Sequence, residues 1–466
     1  MALDRARTAR GALAGALAAG VWAAQQPLDK RVFASDYDDV ELLGKAVTRG
    51  SAWLPVGIAL HVSNGAAFGA VYANVAPVVP LPAWARGPLA ALVESAGMWP
   101  LAGFAERVHP ARDELPPLAG NPRAFAQATW RHLLFGVVLG ELERRLNPPA
   151  ARVLITGAGG FAGGHLAEAC LAAGDEVVAL SRSAEERTPA GAHAIALDLA
   201  GRDATRAAVR DAAPTVVFHL AARASVAESW ERPDEALSAN VATTLSLLEA
   251  VRVEAPSARV VVVGSGEEYG PPDRLPVAED AALRPQNPYA VSKAAADLLA
   301  GMYADAHGLA VVRTRSFNHA GPGQSPAYVV ASLTRQVAAG LRAGASPVPV
   351  VSGNPDAMRD FTDVRDVVRA YRLLAERAAP DAYNVCSGRT ASVRDLLESL
   401  RAVAGVEIEH VVDPALVRAH EVMEIRGSHE RLTAATGWEP EIPRERTLAD
   451  TVAWWTAALD SAQAPE

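Results

Sequence analysis

The chain has 466 residues, a formal charge of −9 and two cysteines. That length calls for more than one core, and the acidic balance excludes a general nucleic-acid binder, which needs a basic surplus to displace counterions from phosphates. Cys170 and Cys386, far apart, exclude a CxxC metal site and a disulfide framework and fit a reducing compartment; no metal is expected.

The first third is apolar. Residues 11–28 and 51–85 carry no Asp, Glu, Lys or Arg, while two further apolar runs, 87–105 and 124–140, are interrupted by Glu94 and by Arg131 and His132. About 20 apolar residues suffice to cross a bilayer, so residues 1–147 are expected to form an all-α, four-helix transmembrane module. Trp22, Trp53, Trp84, Trp99 and Trp130 mostly fall near the ends of these runs, where an interfacial aromatic belt would place them. Arg5, Arg7 and Arg10 before the first run and Arg144 and Arg145 after the fourth would keep both ends on the cytoplasmic side. Glu94 and Arg131 should then face the bundle interior, paired with each other. A soluble Ala- and Gly-rich bundle and a secretory signal peptide are the competing readings. As a small channel or transporter, the segment would use His61, Glu94 and Arg131 along its pathway.

A short linker at 147–151 leads into a different pattern. RVLIT, EVVAL, AIAL, TVVFHL, RVVVVGS and LAVVRTRS alternate with helical stretches, which predicts a parallel sheet covered by helices on both faces. TGAGGFAGG (156–164) follows the first of these strands and opens a helix. Gly157 permits the tight turn, Gly160 lets backbone approach a diphosphate, and Gly163 lets helix pack on strand, with the diphosphate on the helix N-terminus. The second strand ends in Ser181 and Arg182, where an NAD site usually carries an acid. Arg182 favours the 2′-phosphate of NADP(H), with NAD(H) as the alternative and a solvated loop cation as the plain reading. Asp198 is placed either to reach the adenine end or to cap the next helix.

In NPYAVSKAAAD, Tyr289 and Lys293 stand four residues apart on one helical face. An ammonium beside a phenol lowers the phenol's pKa, so Tyr289 could exchange a proton with a carbonyl or alcohol near neutral pH. Ser265, in SGEEYG directly after a strand, falls at the carboxyl edge of the sheet, where open α/β sheets bind ligands.

In that order, TGAGGFAGGH, FHLAA, SGEEYG, YAVSK, RSFNHAGPG and MRDFTDVRDVVRAY resemble the extended short-chain dehydrogenase/reductase family of nucleotide-sugar epimerases, dehydratases and reductases, over residues 152–455. FNHAGPGQSP and DPALVRAHEV are most similar to members acting on GDP-linked 6-deoxyhexoses. The resemblance implies an α/β fold, a Rossmann-type doubly wound parallel sheet with a smaller C-terminal substrate-binding part from about residue 318, spanning 152–466. It makes Tyr289 the proton donor or acceptor, Lys293 its activator and ribose ligand, and Ser265 the hydroxyl on the reacting oxygen. Gly157, Gly160, Phe161, Gly163, Arg182, Asp198, Leu199 and Ala221 would hold the cofactor. Asn318, Arg359, Arg418 and Glu421 would hold the GDP-sugar, and Asn240 would serve structurally or in proton relay.

Glu267 matches the base of the 4,6-dehydratases. Gly266 and Glu268 depart from the hydroxyl-rich form of that segment, and the loop after Arg182 is short; both favour reduction of a 4-keto-6-deoxyhexose over dehydration or epimerisation. Arg365 stands where the family usually has an acid. A regulator that binds NADP(H) without turnover is the competing class, opposed by the presence of both Tyr289 and Lys293. The resemblance also implies a homodimer through helices of the nucleotide-binding part. The expected location is the cytoplasmic membrane with the catalytic part in the cytoplasm, or the cytoplasm if residues 1–147 are soluble.

Overall fold

The computed structural model describes residues 5–79, 81–147, 151–182, 188–417 and 422–461. The chain divides into two compact units, Met1–Pro149 and Ala150–Glu466.

Unit 1 is helical: α1 (Arg5–Phe33), α2 (Asp39–Val47), α3 (Trp53–Val75), α4 (Ala83–Met98), α5 (Ala102–Val108) and α6 (Pro122–Leu146). Its helices meet backbone to backbone. A Cβ on Gly15 of α1 would lie 2.0 Å from the Gly65 carbonyl oxygen of α3, and one on Gly87 of α4 would lie 2.2 Å from the Gly136 oxygen of α6. Small residues at these crossings let the helix backbones come this close.

The interior of this unit is polar at one end. Arg131 is fully buried and gives Nε and Nη2 to the two Asp29 oxygens at 2.6 Å each, and Nη1 to Asp39 at 2.7 Å. Gln127 donates to Asp29 at 2.7 Å and the Trp22 indole to Asp39 at 3.1 Å. Glu94 pairs instead with His132, at 2.9 Å. The expected Glu94–Arg131 pair is therefore corrected: Arg131 bonds Asp29 and Asp39 and also donates to the Tyr37 carbonyl at 3.0 Å. The outer surface carries Leu17, Val71, Trp84, Val93, Phe104 and Trp130, all exposed. Among the described residues one helix, α3, is long and apolar enough to cross a membrane, where four spans were expected. The reason lies in the windows: α4 has only 16 residues and contains Arg86 and Glu94, and α6 contains Arg131.

Unit 2 begins with β1 (Arg152–Thr156), α7 (Phe161–Ala172), β2 (Glu176–Ser181), β3 (His193–Ala196), α8 (Arg202–Ala212), β4 (Val216–His219), α9 (Val226–Glu231), α10 (Pro233–Glu254), β5 (Arg259–Ser265), α11 (Pro288–His307) and β6 (Ala310–Ser316). It continues through β7 (Asn318–Ala320), α12 (Val329–Ala343), β8 (Val348–Ser352), β9 (Met358–Asp363), α13 (Val364–Arg377), β10 (Ala382–Val385), β11 (Thr390–Ala391), α14 (Val393–Ala404), β12 (Ile408–Val412), β13 (Glu424–Ile425), α15 (Glu430–Thr436) and α16 (Arg444–Asp460).

Seven strands form one parallel sheet in the order β10-β6-β5-β4-β1-β2-β3. Both faces are covered, so the strands read as runs of Val and Ile. The alternation is visible in β1: Val153 and Ile155 pack under α7 and α13, Leu154 on the other face under α8 and α10. The chain runs outward from β1 to β3 and then returns to β4 on the opposite side of β1. That reversal opens a crevice at the carboxyl ends of β1 and β4. Its second wall comes from the C-terminal part, where β7, β9, β11 and β13 form a small sheet, β8 pairs with β12, and α12, α14 and α16 enclose a separate core around Leu333, Leu396 and Trp455. Arg365 links β9 to α16 by ion pairs with Asp363 at 2.7 Å and Asp450 at 2.8 Å, which accounts for a base at this position.

Candidate active site

A single cavity of about 1060 Å³ occupies the crevice, and every expected site residue among the described ones lines it. Arg418 and Glu421 lie outside the described residues.

The glycines shape one wall. Gly157 follows β1 in a left-handed conformation, φ 72°, and a Cβ there would come within 2.8 Å of the Ala221 nitrogen. At Gly163 a Cβ would lie 2.0 Å from the Gly157 oxygen, so only glycine lets α7 pack this close to the turn. Gly160 stands at the N-cap of α7 with no side-chain cap, and the first turn, Phe161 to Gly163, faces the cavity. Uncapped N–H groups at a helix N-terminus are a ready anion site. The Phe161 ring stacks on His319, centroids 5.9 Å apart.

Below this wall lies His219, which the sequence reading passed over although it stands inside FHLAA. Its Nδ1 meets Thr156 Oγ1 at 2.8 Å and its Nε2 meets Thr244 Oγ1 at 2.9 Å, while the same Thr156 oxygen accepts the Ala221 N–H at 3.2 Å. Burial lowers the imidazole pKa to about 3, with Lys293 adding to the effect, so this ring is neutral. It ties β1, β4 and α10 together under the turn. At the far end of the same wall Arg182 is exposed, Leu199 is buried, and the Asp198 carboxylate accepts the Ala200 N–H at 3.0 Å while lining the cavity.

The other end of the cavity gathers Ser265 from the tip of β5, Glu267 from the turn after it, and Tyr289 and Lys293 from α11. Asn287 caps α11 through the Ala290 N–H, at 2.8 Å, and donates its Nδ2 to Glu267 at 3.3 Å. Burial is the main influence on the Tyr289 phenol and raises its pKa, while a hydrogen bond with Ser265 pulls it down. Lys293 is not among the main influences on this phenol. The Lys293 ammonium donates to the Val263 carbonyl at 2.5 Å, and its charge is balanced by Glu268 and Asp297 rather than by the phenol. Burial itself lowers the lysine.

Asn240 acts as a brace. It accepts the Arg223 N–H at 2.8 Å and donates to the Arg223 carbonyl at 3.2 Å and to Ser292 Oγ at 2.8 Å, fixing the loop after β4 beside α11 next to Lys293. Asn318 of β7 and Arg359 of β9 reach the cavity from the C-terminal part, where Tyr328 also lines it. Tyr328, ahead of α12 without a recognisable motif, left no signal in the sequence. Among the described residues no group of three or more His, Cys, Asp and Glu is arranged to hold a metal ion.

A doubly wound parallel sheet with this glycine turn and a Ser-Tyr-Lys set at its carboxyl edge defines an NAD(P)-dependent enzyme of the extended short-chain dehydrogenase/reductase type. Residues 154–451 match the family model described as GDP-mannose 4,6 dehydratase, and the chain belongs to that family. It is 40% identical over 249 residues to GDP-6-deoxy-D-mannose reductase of Pseudomonas aeruginosa, covering 53% of this chain and 82% of that one. It is 32% identical over 319 residues to UDP-glucose 4-epimerase of Streptomyces lividans, covering 66% and 96%. The structure of RMD from Pseudomonas aeruginosa complexed with NADPH superposes with a TM-score of 0.58 at 36% identity, covering 66% of this chain and 98% of that one.

Proposed function

We propose that unit 2 uses NADP(H) to reduce the keto group of a GDP-linked 4-keto-6-deoxyhexose. The observation that carries this reading is Arg182, which lines the cavity just past β2 where a 2′-hydroxyl site would have an acid; the similarity to a GDP-6-deoxy-D-mannose reductase supplies the substrate class.

The residues present fit the cofactor. Gly157, Gly160 and Gly163 leave backbone open at an uncapped helix N-terminus for a diphosphate, Arg182 suits a 2′-phosphate, and Asp198, Leu199 and Ala221 flank the space between. When bound, the reduced nicotinamide supplies hydride to the carbonyl carbon. Tyr289 gives its hydroxyl proton to the carbonyl oxygen, and Ser265 Oγ hydrogen-bonds that oxygen as charge develops on it. Lys293, four residues on along the same face of α11, supplies positive charge that favours the phenolate that results. Asn318 and Arg359 hold the nucleotide sugar from the C-terminal wall, Arg359 by its charge on the diphosphate.

A second reading, 4,6-dehydration, is favoured by Glu267 alone, a carboxylate on the cavity wall two residues after Ser265. Mixing the protein with NADPH and GDP-4-keto-6-deoxy-mannose decides between them. A substrate-dependent fall in reduced-nicotinamide absorbance is expected; no fall, with NADPH binding verified, refutes net reduction.

Unit 1 is proposed as a membrane anchor that keeps unit 2 on the cytoplasmic side. Arg131 is 0% exposed inside the unit while Trp84 is 82% exposed on its surface. Polar clusters mark both ends of α1, Arg7 with Glu143 at 3.1 Å and Asp29 with Arg131. They lie roughly 33 Å apart at 1.5 Å per residue, close to the ~30 Å hydrocarbon core. Arg10 bonds Asn147 at 2.8 Å, so the unit begins and ends at one face. Recovery of the full chain in carbonate-washed membranes is expected, and a soluble, detergent-independent protein would refute the anchor. A homodimer through α10 and α11 is proposed from their exposed Val253, Leu298 and Met302, with sedimentation equilibrium as its test.

A further inference from the structure

The proposed reduction gives no task to two hydroxyls on the floor of the cavity. Ser316 closes β6, Tyr371 lies on α13, and their oxygens stand 2.7 Å apart. Both residues are buried and both line the cavity. The core they cap is apolar: Val261 of β5, Val312 of β6 and Val367, Val368 and Leu374 of α13 pack together on this face of the sheet. Packing asks for no hydroxyl at either position, and a buried hydroxyl costs stability unless it is hydrogen-bonded.

The register of the sheet fixes what stands beside the pair. Val261 is opposite Val312 and Ser265 opposite Ser316, so the two serines end neighbouring strands, which lie about 4.8 Å apart. Residues four apart on a strand share a face, and Val261 and Val312 belong to the face of Tyr371. Ser316 is therefore one strand beyond Ser265, the residue assigned to the reacting oxygen. Strand order gives the direction in which a dinucleotide runs along this edge. Arg182 follows β2, Asp198 and Leu199 follow β3, and the glycine turn follows β1. With the adenine end there and the diphosphate on the turn, the order β3-β2-β1-β4-β5-β6 leaves β4, β5 and β6 for the nicotinamide half. The ring must lie against the carbon whose oxygen Ser265 and Tyr289 hold, and the next strand end on that line is Ser316.

A nicotinamide ring carries one polar substituent, a primary carboxamide with an acceptor oxygen and N–H donors. The hydroxyl pair can serve either end of it. With Tyr371 donating to Ser316 Oγ, the Ser316 proton is free for the amide oxygen; with Ser316 donating to Tyr371, a Ser316 lone pair is free for the amide N–H. We propose that Ser316 binds the carboxamide of the bound cofactor, with Tyr371 behind it as a positioning residue, and so fixes how the ring is turned towards the sugar. The assignment rests on the reading of the crevice as an NADP(H) site for carbonyl reduction and names the contact that orients its hydride donor.

The test is calorimetric titration of the full-length protein and its Ser316→Ala and Tyr371→Phe variants with two ligands, NADPH and 2′-phospho-ADP-ribose, which lacks the nicotinamide ring. Each variant is expected to bind NADPH about three- to tenfold more weakly, the worth of one net hydrogen bond, and to bind 2′-phospho-ADP-ribose as the wild type does. Unchanged NADPH affinity, or equal losses for the two ligands, would overturn the assignment and leave the pair a structural bond. A selective loss in Ser316→Ala alone keeps Ser316 and removes Tyr371. Tyr371→Phe deletes a single oxygen from a packed ring, so it reports even where Ser316→Ala fails to fold. No sugar enters these titrations. A selective loss therefore supports the contact even in a protein that leaves GDP-4-keto-6-deoxy-mannose unreduced, a result that would remove the reduction reading alone.

Discussion

Adjacent glycines in α7 make opposite predictions. Replacing Gly163 by Ala puts a Cβ 2.0 Å from the Gly157 oxygen, whereas at Gly164 the nearest atom, the Ala158 oxygen, is 3.8 Å away. A carbon–oxygen contact relaxes only beyond about 3 Å, so Gly163→Ala must push α7 off the turn by roughly 1 Å, an overpacking that costs about 1–3 kcal/mol. The turn it displaces is the one that lines the cavity, so the loss should appear in NADPH affinity as a weakening of about tenfold or more. Gly164→Ala meets nothing and gains helix propensity, about 0.5–1 kcal/mol, so its melting temperature should rise slightly with NADPH affinity within about twofold. Fluorescence titration with NADPH and thermal unfolding on the same preparations read both quantities. Wild-type affinity in Gly163→Ala, or equal losses in the two variants, would refute the close-packing argument.

Tyr289→Phe removes the proton donor and should lower turnover by about 10²–10⁴-fold while NADPH binding stays intact; near-normal turnover sinks the role. Arg182→Ala should weaken NADPH by about 10–100-fold, the worth of a charge-assisted contact to phosphate, and leave NADH affinity within about twofold; equal losses for both cofactors would make Arg182 a plain surface cation. His219 makes a pH prediction. Its folded pKa, about 3, lies below the unfolded value near 6.5, so below pH 6.5 the unfolded state takes up a proton that the folded state refuses. Stability contributed by this group is therefore complete above pH 6.5 and falls by up to ~1.4 kcal/mol per pH unit towards pH 3. Urea unfolding of His219→Asn between pH 7 and pH 5 should show a shallower loss than the wild type, and parallel curves would refute the neutral, buried imidazole.

How far the sequence carried depends on whether residue identity and backbone geometry are tied together. Gly157 and Gly163 were legible because a φ of 72° with a backbone 2.8 Å from any Cβ favours glycine at the one, and a 2.0 Å approach excludes a Cβ at the other. Runs such as RVVVVGS were legible because a strand buried on both faces has few other compositions. The edge strand β10, AYNV, is too short to stand out, and it joins the sheet only through pairing with β6. In the site, Ser265, Tyr289 and Lys293 could be named in advance because strand end and helix face fix where they point. What Lys293 touches could not. The end of its chain goes to the Val263 carbonyl, a choice made by burial and by Glu268 and Asp297, which spacing along α11 does not encode.

The same limit explains unit 1. Glu94 and Arg131 interrupt two of the apolar runs, but the bundle pairs Arg131 with Asp29 and Asp39, and Glu94 with His132. Charges consumed inside cost the outer surface nothing. The outward faces of α1, α3, α4 and α6 present Leu17, Val71, Val93 and Val137, all exposed, and among the described residues α3 alone is long and apolar enough to cross a membrane. The burial of Arg131 is decided by contacts between residues as far apart as Asp29 and Arg131, which no single stretch of sequence displays.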